Sequence, residues 1–214
     1  MNDFLLGIDL GQAGDHTALA LLHRRPKPDP AGYHLRHAER FALGMGYPDQ
    51  VRRVASLVRR KELADNTTLI VDATGVGRPV VELCEEEGLR PIGVWITGGD
   101  SVSRDGREFR VPKRELASSV QALLQSRRLR FAHDLPQRDL LKEELKNFRV
   151  KVNIATGHDR YEHHREGDHD DLVLALAMAC WYGEYWRQKI GSLPPKPKTS
   201  WGNYMTGSMY VEGM

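Results

Sequence analysis

Residues 4–14 read Phe4-Leu5-Leu6-Gly7-Ile8-Asp9-Leu10-Gly11-Gln12-Ala13-Gly14, a short and very apolar strand with one carboxylate in its second half and a glycine turn behind it. Asp is among the poorest strand formers. Burying an unpaired carboxylate is costly enough that the group takes up a proton instead, unless it finds a partner. A central strand that carries Asp9 therefore needs something for it to bind, either hydrogen bonds from the Gly11/Gly14 turn or a metal ion. Asp9 alone leaves both readings open.

Working outward, Thr17–His23 predicts a second strand, joined to the first by the glycine turn as a hairpin. The prolines of Arg24–Gly32 mark a loop tip, and the weak alternation of Tyr33–Leu43 suits a third strand at a sheet edge. In Tyr47–Leu63, Val51, Val54, Ala55 and Val58 recur at helical spacing with arginines on the other face. Thr67–Asp72 is a buried strand of mostly β-branched residues that ends on a second acid. Arg78–Glu87 predicts a helix closed by Gly88, and Pro91–Ile96 a further strand. Thr97–Val111 reads as a long polar, mobile loop. Pro112 opens a helix where its missing N–H is harmless, with Leu116, Val120, Leu123 and Leu124 as the buried stripe. Leu129–Ala132 suggests a short strand and Leu135–Phe148 a helix. Arg149–His164 reads as a hairpin turning at Thr156–Asp159, and Asp168–Lys189 as a long helix, amphipathic first and aromatic later. Three strands before the first helix do not match a doubly wound order; they suit an α/β mixed sheet with helices on its faces.

The 214 residues, 40% hydrophobic and 28% charged, are enough for one sizeable domain. It is expected over residues 1–190, with the Pro-, Gly- and Ser-rich 191–214 as a flexible tail. No apolar run reaches the roughly 18 residues of a membrane span, and the N-terminus lacks the pattern of a signal peptide, so a cytoplasmic protein with no membrane partner is expected. Cys84 and Cys180 sit in apolar helical patterns and read as core residues. Net charge is only +2, but from Arg104 to Lys151 thirteen Lys/Arg face seven Asp/Glu, a local excess of +6. That excess points to a polyanion partner.

Acids gather at three element ends: Asp9, Asp72 and the group Asp168, Asp170, Asp171. Singly, Asp168 can be a helix N-cap, Asp170 and Asp171 first-turn acids favoured by the helix dipole, and Asp72 the closure of an Asx turn. Jointly they make a stronger case. If the strands that end on Asp9 and Asp72 run parallel and the last helix starts nearby, the carboxylates converge and repel unless cations lie between them. Hard oxygen ligands select Mg²⁺ or Mn²⁺, and a pair of such ions is suited to in-line attack at a phosphodiester. His163, His164 and His169 lie close together, but no cysteine accompanies them and their spacing fits no zinc pattern.

Gly7–Leu19, Leu69–Gly88, Val111–Phe131 and Arg165–Ala179, in that order, resemble the nuclease domain of phage terminase large subunits, in the RNase H-like (retroviral integrase) superfamily. The resemblance implies an RNase H-like mixed sheet in which the first three strands are antiparallel and the fourth and fifth parallel to the first. It implies two-metal cleavage of double-stranded DNA during genome packaging, with two Mg²⁺ or Mn²⁺ ions. By position it implies catalytic Asp9 and Asp72 and, opening the last helix, the Asp170–Asp171 pair, of which Asp171 is preferred because Asp168 shares its helical face; Asp168 and Asp170 are further metal ligands. Arg104, Arg107, Arg110, Lys113, Arg114, Arg127 and Arg128 are the expected DNA contacts. An ATPase motor, a portal and a small terminase subunit would be partners, in a host cytoplasm. No G-x-x-x-x-G-K-[ST] occurs in the chain, so the motor is not within it. The chain is then expected to be either a nuclease domain of a longer protein or a free-standing relative. Alternatives are a Holliday-junction resolvase-like nuclease, a nucleotide-binding module of the actin/sugar-kinase type suggested by GIDLG, and a DNA-binding module with an inactive acidic site.

Overall fold

The computed structural model describes residues 3–11, 15–25, 31–75, 78–148 and 170–191. Asp168, the three histidines at 163, 164 and 169, the 149–164 hairpin and the tail beyond 191 lie outside the described residues. Among the described residues eight strands make one mixed sheet: β1 Phe4–Asp9, β2 Ala18–Arg25, β3 Gly32–Arg40, β4 Thr67–Asp72, β5 Ile92–Thr97, β6 Ser103–Asp105, β7 Glu108–Pro112 and β8 Leu129–Phe131. Their order is β6-β7-β5-β4-β1-β2-β3-β8. β1, β2 and β3 are antiparallel neighbours, while β4 runs parallel to β1, β5 to β4 and β7 to β5. The C-terminal ends of β1, β4, β5 and β7 therefore share one edge of the sheet.

The described helices cover the two faces: α1 Tyr47–Val58, α2 Arg78–Glu86, α3 Lys113–Gln125, α4 Arg138–Asn147 and α5 Asp171–Gly191. Strand side chains alternate between faces. Leu6, Ile8, Leu19, Leu21, Leu69 and Val71 pack with Val54 of α1. Leu5, Ala18, Ala20, Leu22, Ile70 and Val94 pack with α5 and α3. Asp9 and Asp72 follow Leu5 and Ile70 in period two, so both belong to the α5 face.

α5 departs from expectation. It is not amphipathic in its first half; Leu172–Tyr182 are buried without a break. The sheet lies beneath it and α3 and α4 flank it, which leaves no solvent face for a periodic pattern to record. Its close seat on β1 depends on Gly7: a Cβ there would stand 1.9 Å from the Ala175 carbonyl oxygen. At the far end Glu184 accepts hydrogen bonds from the Tyr33 hydroxyl (2.9 Å) and from both terminal nitrogens of Arg128 (3.0 and 2.6 Å). Burial acts against its ionisation, but the donors Arg128, Arg187 and Tyr33 hold its carboxyl below the usual glutamate value.

Other departures have local causes. β3 is not an edge, because β8 adds to it in parallel at Tyr33–Leu35. The stretch expected as a mobile loop contains the β6–β7 hairpin, whose register is held by Phe109 and Val111, both buried, alternating with outward Glu108 and Arg110. Pro112 is still the last residue of β7, opposite Thr97, and α3 begins one residue later. Leu124 is 39% exposed, outside the stripe of Leu116, Val120 and Leu123. α1 stops at Val58, short of Leu63, and α4 is shorter than expected at both ends. Among the described residues no helix is long and apolar enough to cross a membrane.

The contact at Gly7 gives a direct test. Gly7→Ala forces backbone against backbone, and overpacking of this kind costs about 1–3 kcal/mol; the upper end is expected, because neither partner can swing aside. Gly93→Ala, whose Cβ would meet only the Glu108 Cγ at 3.6 Å and the Ala73 Cβ at 3.9 Å, should be nearly neutral. Urea unfolding of both variants checks the difference, and an unaltered Gly7→Ala midpoint would contradict the seating of α5.

Candidate active site

The parallel register of β1 and β4 sets Ile8 beside Val71, so Asp9 and Asp72, one residue further on, stand level at the ends of adjacent central strands. Gly7 lies two residues before Asp9 on the same face. Ala175 lies one turn after Asp171. The backbone contact between Gly7 and Ala175 therefore carries the first turn of α5 over the strand ends, and with it Asp170 and Asp171. Of the five acids singled out in the sequence, these four are brought together; Asp168 lies outside the described residues.

Asp9 and Asp171 are buried, at 9% and 8% exposure. The Asp72 Oδ1 accepts a hydrogen bond of 2.7 Å from the Thr74 backbone N–H. The Asx turn considered for it thus exists alongside its position beside Asp9. Burial first, and then the charges of Asp72, Asp171 and Asp170, push Asp9 well above the ordinary aspartate value. Burial raises Asp72 too, opposed by the hydrogen bonds from Thr74 and by the charge of Lys113.

Two cations meet the acids of α5. The Lys113 Nζ, at the start of α3, is 2.9 Å from the Asp170 Oδ2. Arg40, the last residue of β3, has its Nη2 3.0 Å from the Asp171 Oδ2 and 2.7 Å from the Glu144 Oε1. The other oxygen of Glu144 accepts the Val173 backbone N–H at 2.9 Å, inside the first turn of α5. Glu144 is only 4% exposed, and burial lifts its carboxyl to about 7 against the hydrogen bond from Val173 and the charge of Arg40. Neither Arg40 nor Glu144 is among the residues expected from the sequence. The available signal was weak: Glu144 sits three residues after buried Leu141 on the inner face of α4.

The basic residues expected to contact DNA do not form one group. Lys113 and Arg114 lie at the edge that holds the acids, Arg114 paired with Asp100. Arg110 is exposed on β7 nearby. Arg104 is exposed and lies over the rings of Phe109 and Trp186, at 5.3 and 5.2 Å. Arg107 donates to the carbonyls of Pro91 and Arg90 near the opposite edge. Arg127 follows the C-terminus of α3, also away from the acids, and Arg128 is held by Glu184 and the Ala31 carbonyl at 15% side-chain exposure.

Among the described residues no group of three or more His, Cys, Asp or Glu side chains is gathered tightly enough to hold a metal ion as it stands. The chemistry of the donors nevertheless fits a hard divalent cation. Among the described residues, four carboxylates and no sulfur or imidazole converge on one sheet edge, and their repulsion adds to burial in lifting Asp9.

A sheet with three antiparallel strands followed by parallel ones, acids at the ends of β1 and β4, and a third set opening the last helix, is of the RNase H-like class. The model of the terminase RNaseH-like domain matches residues 6–182, and the chain belongs to that family. No curated protein matches it in sequence. Among solved structures, the large terminase nuclease of the thermophilic phage G20c is 21% identical, with TM-score 0.53 over 83% of this chain and 81% of that one. The large terminase nuclease domain of bacteriophage SPP1, solved with bound Mn, is 12% identical, with TM-score 0.52 over 83% and 85%. The HK97 bacteriophage large terminase is 15% identical, with TM-score 0.55, and the match covers 85% of this chain but 40% of that one.

The raised Asp9 carboxyl predicts a charge effect on stability. The folded state binds its proton more tightly than the unfolded chain does, so ionising Asp9 destabilises the fold as pH rises. In a chelating buffer at pH 7, Asp9→Asn should therefore unfold at a higher temperature than the wild type. The gain should vanish below the unfolded aspartate value of about 3.9. Thermal unfolding across pH checks both; a less stable Asp9→Asn at pH 7 would contradict the crowding.

Proposed function

We propose that the chain is a divalent-metal-dependent endonuclease of the terminase type, hydrolysing phosphodiesters of double-stranded DNA during genome packaging. The observation that carries this reading is the meeting of Asp9, Asp72, Asp170 and Asp171, from three elements, at one edge of an RNase H-like sheet in a member of the terminase family. Residues 1–190 form the nuclease unit. It would work with an ATPase motor, a portal and a small terminase subunit in a host cytoplasm.

Asp9, Asp72 and Asp171 would hold Mg²⁺ or Mn²⁺, with Asp170 and Asp168 in support. Bound as a pair, the ions would supply activation of a water and stabilisation of the leaving 3′ oxygen. The bound form of manganese in the SPP1 nuclease domain supports the choice of ion. The protein's own work is positional. β1 and β4 hold two carboxylates at one level, and α5 brings the third from above. Burial first and then its neighbours' charges hold the Asp9 carboxyl well above the ordinary aspartate value, a crowding that a bound cation would offset. Lys113, held at Asp170 and 18% exposed, is placed to meet a phosphate at the edge of the site. Arg110 and Arg114 extend the same positive edge, while Arg107 and Arg127 lie away from the acids and Arg104 over aromatic rings, so the phosphates they would meet are distant ones. Such contacts give affinity without base readout, so binding should fall steeply with salt. Arg128, committed to Glu184, contributes to the fold instead.

Asp9→Asn and Asp72→Asn should each abolish Mn²⁺-dependent cleavage of linear duplex DNA while leaving its binding in a gel-shift assay within about threefold, since phosphate contacts supply most of the affinity. Cleavage retained by both purified variants would overturn the assignment. A four-way junction cut in preference to linear duplex would favour a resolvase instead.

A further inference from the structure

The contacts around Asp171 come from parts of the chain far apart in sequence, and all of them act on a single helical turn. Arg40 ends β3, Glu144 lies in the second half of α4, and Asp171 opens α5. The Arg40 Nη2 stands 2.7 Å from the Glu144 Oε1 and 3.0 Å from the Asp171 Oδ2. The Glu144 Oε2 accepts the Val173 N–H at 2.9 Å, satisfying one of the backbone donors that every helix start leaves without an intrahelical partner. The side chains of Arg40, Glu144 and Asp171 are 10%, 3% and 11% exposed. A buried ion pair of this kind is weak evidence for stability, because well-packed apolar residues usually serve as well or better. Its value here is geometric. Asp9 faces three like charges, Asp171 among them, and the mutual repulsion acts to drive the Asp171 carboxylate away from the strand ends. A carboxylate has about four lone-pair positions, so an Arg40 contact through Oδ2 does not exhaust it.

We infer that Arg40 and Glu144 are positioning residues. Glu144 ties the first turn of α5 to α4 and holds the Arg40 guanidinium, which fixes the Asp171 carboxylate over Asp9 and Asp72. Outer partners of a metal ligand commonly set metal affinity or activity by about 10–100-fold. A lysine at position 40 keeps the charge but loses the planar, pre-organised guanidinium whose Nη2 meets both carboxylates. A glutamine at 144 keeps an acceptor for the Val173 N–H and loses the charge that holds Arg40.

This inference rests on the nuclease reading, and the test separates the two. Mn²⁺ binding by the full chain is titrated calorimetrically for the wild type, Glu144→Gln, Arg40→Lys, Arg40→Met and, as a control, Asp9→Asn. Thermal unfolding and steady-state cleavage of linear duplex are measured beside it. The expected result is a loss of Mn²⁺ affinity of about 10–100-fold in Glu144→Gln and in both Arg40 variants, greater for Met than for Lys. The same variants should show a lower kcat and a KM for DNA that is little changed. A purely structural role would lower the unfolding temperature but leave Mn²⁺ affinity and the kcat of folded protein at wild-type values, and that outcome overturns the inference. If Asp9→Asn loses Mn²⁺ binding while every Arg40 and Glu144 variant keeps it, the clamp falls and the nuclease site stands. If the folded wild type binds no Mn²⁺, both fall.

Discussion

Gly7 has no side chain, and the carbonyl of Ala175 fills the space where one would be. This contact fixes how close α5 can lie to β1, and the position of Asp170 and Asp171 over the strand ends follows from it. With any Cβ at residue 7 the helix would ride higher on the sheet, and its first turn would lift away from the ends of β1 and β4. The same seat explains why α5 is apolar on all sides: a helix pressed onto the middle of a sheet and flanked by two others has no face left for water. The tight approach is matched at the other end, where a Cβ on Gly183 would stand 2.6 Å from the Tyr33 ring.

That packing produces an electrostatic problem. Asp9 and Asp72 end adjacent parallel strands, so each brings a charge to the same few ångströms, and α5 adds two more. The molecule answers with Lys113 and Arg40 on the helix acids, while burial first and then the neighbouring charges hold the Asp9 carboxyl well above the ordinary aspartate value. The donors already present are of the hard type that a divalent cation selects.

Much of this was legible in the sequence because the decisive strands are apolar on both faces. FLLGID and TTLIVD announce themselves by composition, and an acid at the end of each is conspicuous against that background. The third acid group was visible as REGDHDD, although only its last two acids fall within the described residues. The β6–β7 hairpin was not legible, because its first strand is polar and exposed throughout and the second is only five residues long. α5 misled in the opposite way, since burial on every side erases the periodicity that marks a surface helix. Glu144 and Arg40 were hidden for a further reason. α4 is rich in Lys and Glu, and nothing in RDLLKEELKN distinguishes the one carboxylate that faces inward from those that face water. Arg40 reads as an ordinary charge at a strand end until the fold places it between two buried acids. The basic stretch was overread: counted along the chain it is one cluster, but folding divides it between opposite edges of the sheet.

Anomalous scattering from crystals of the chain soaked in Mn²⁺ tests the account most directly. Peaks should appear between the carboxylates of Asp9, Asp72 and Asp171, and two of them about 3.5–4 Å apart would match a two-ion site. Strong peaks bound elsewhere, with those three carboxylates contacting none of them, would contradict it.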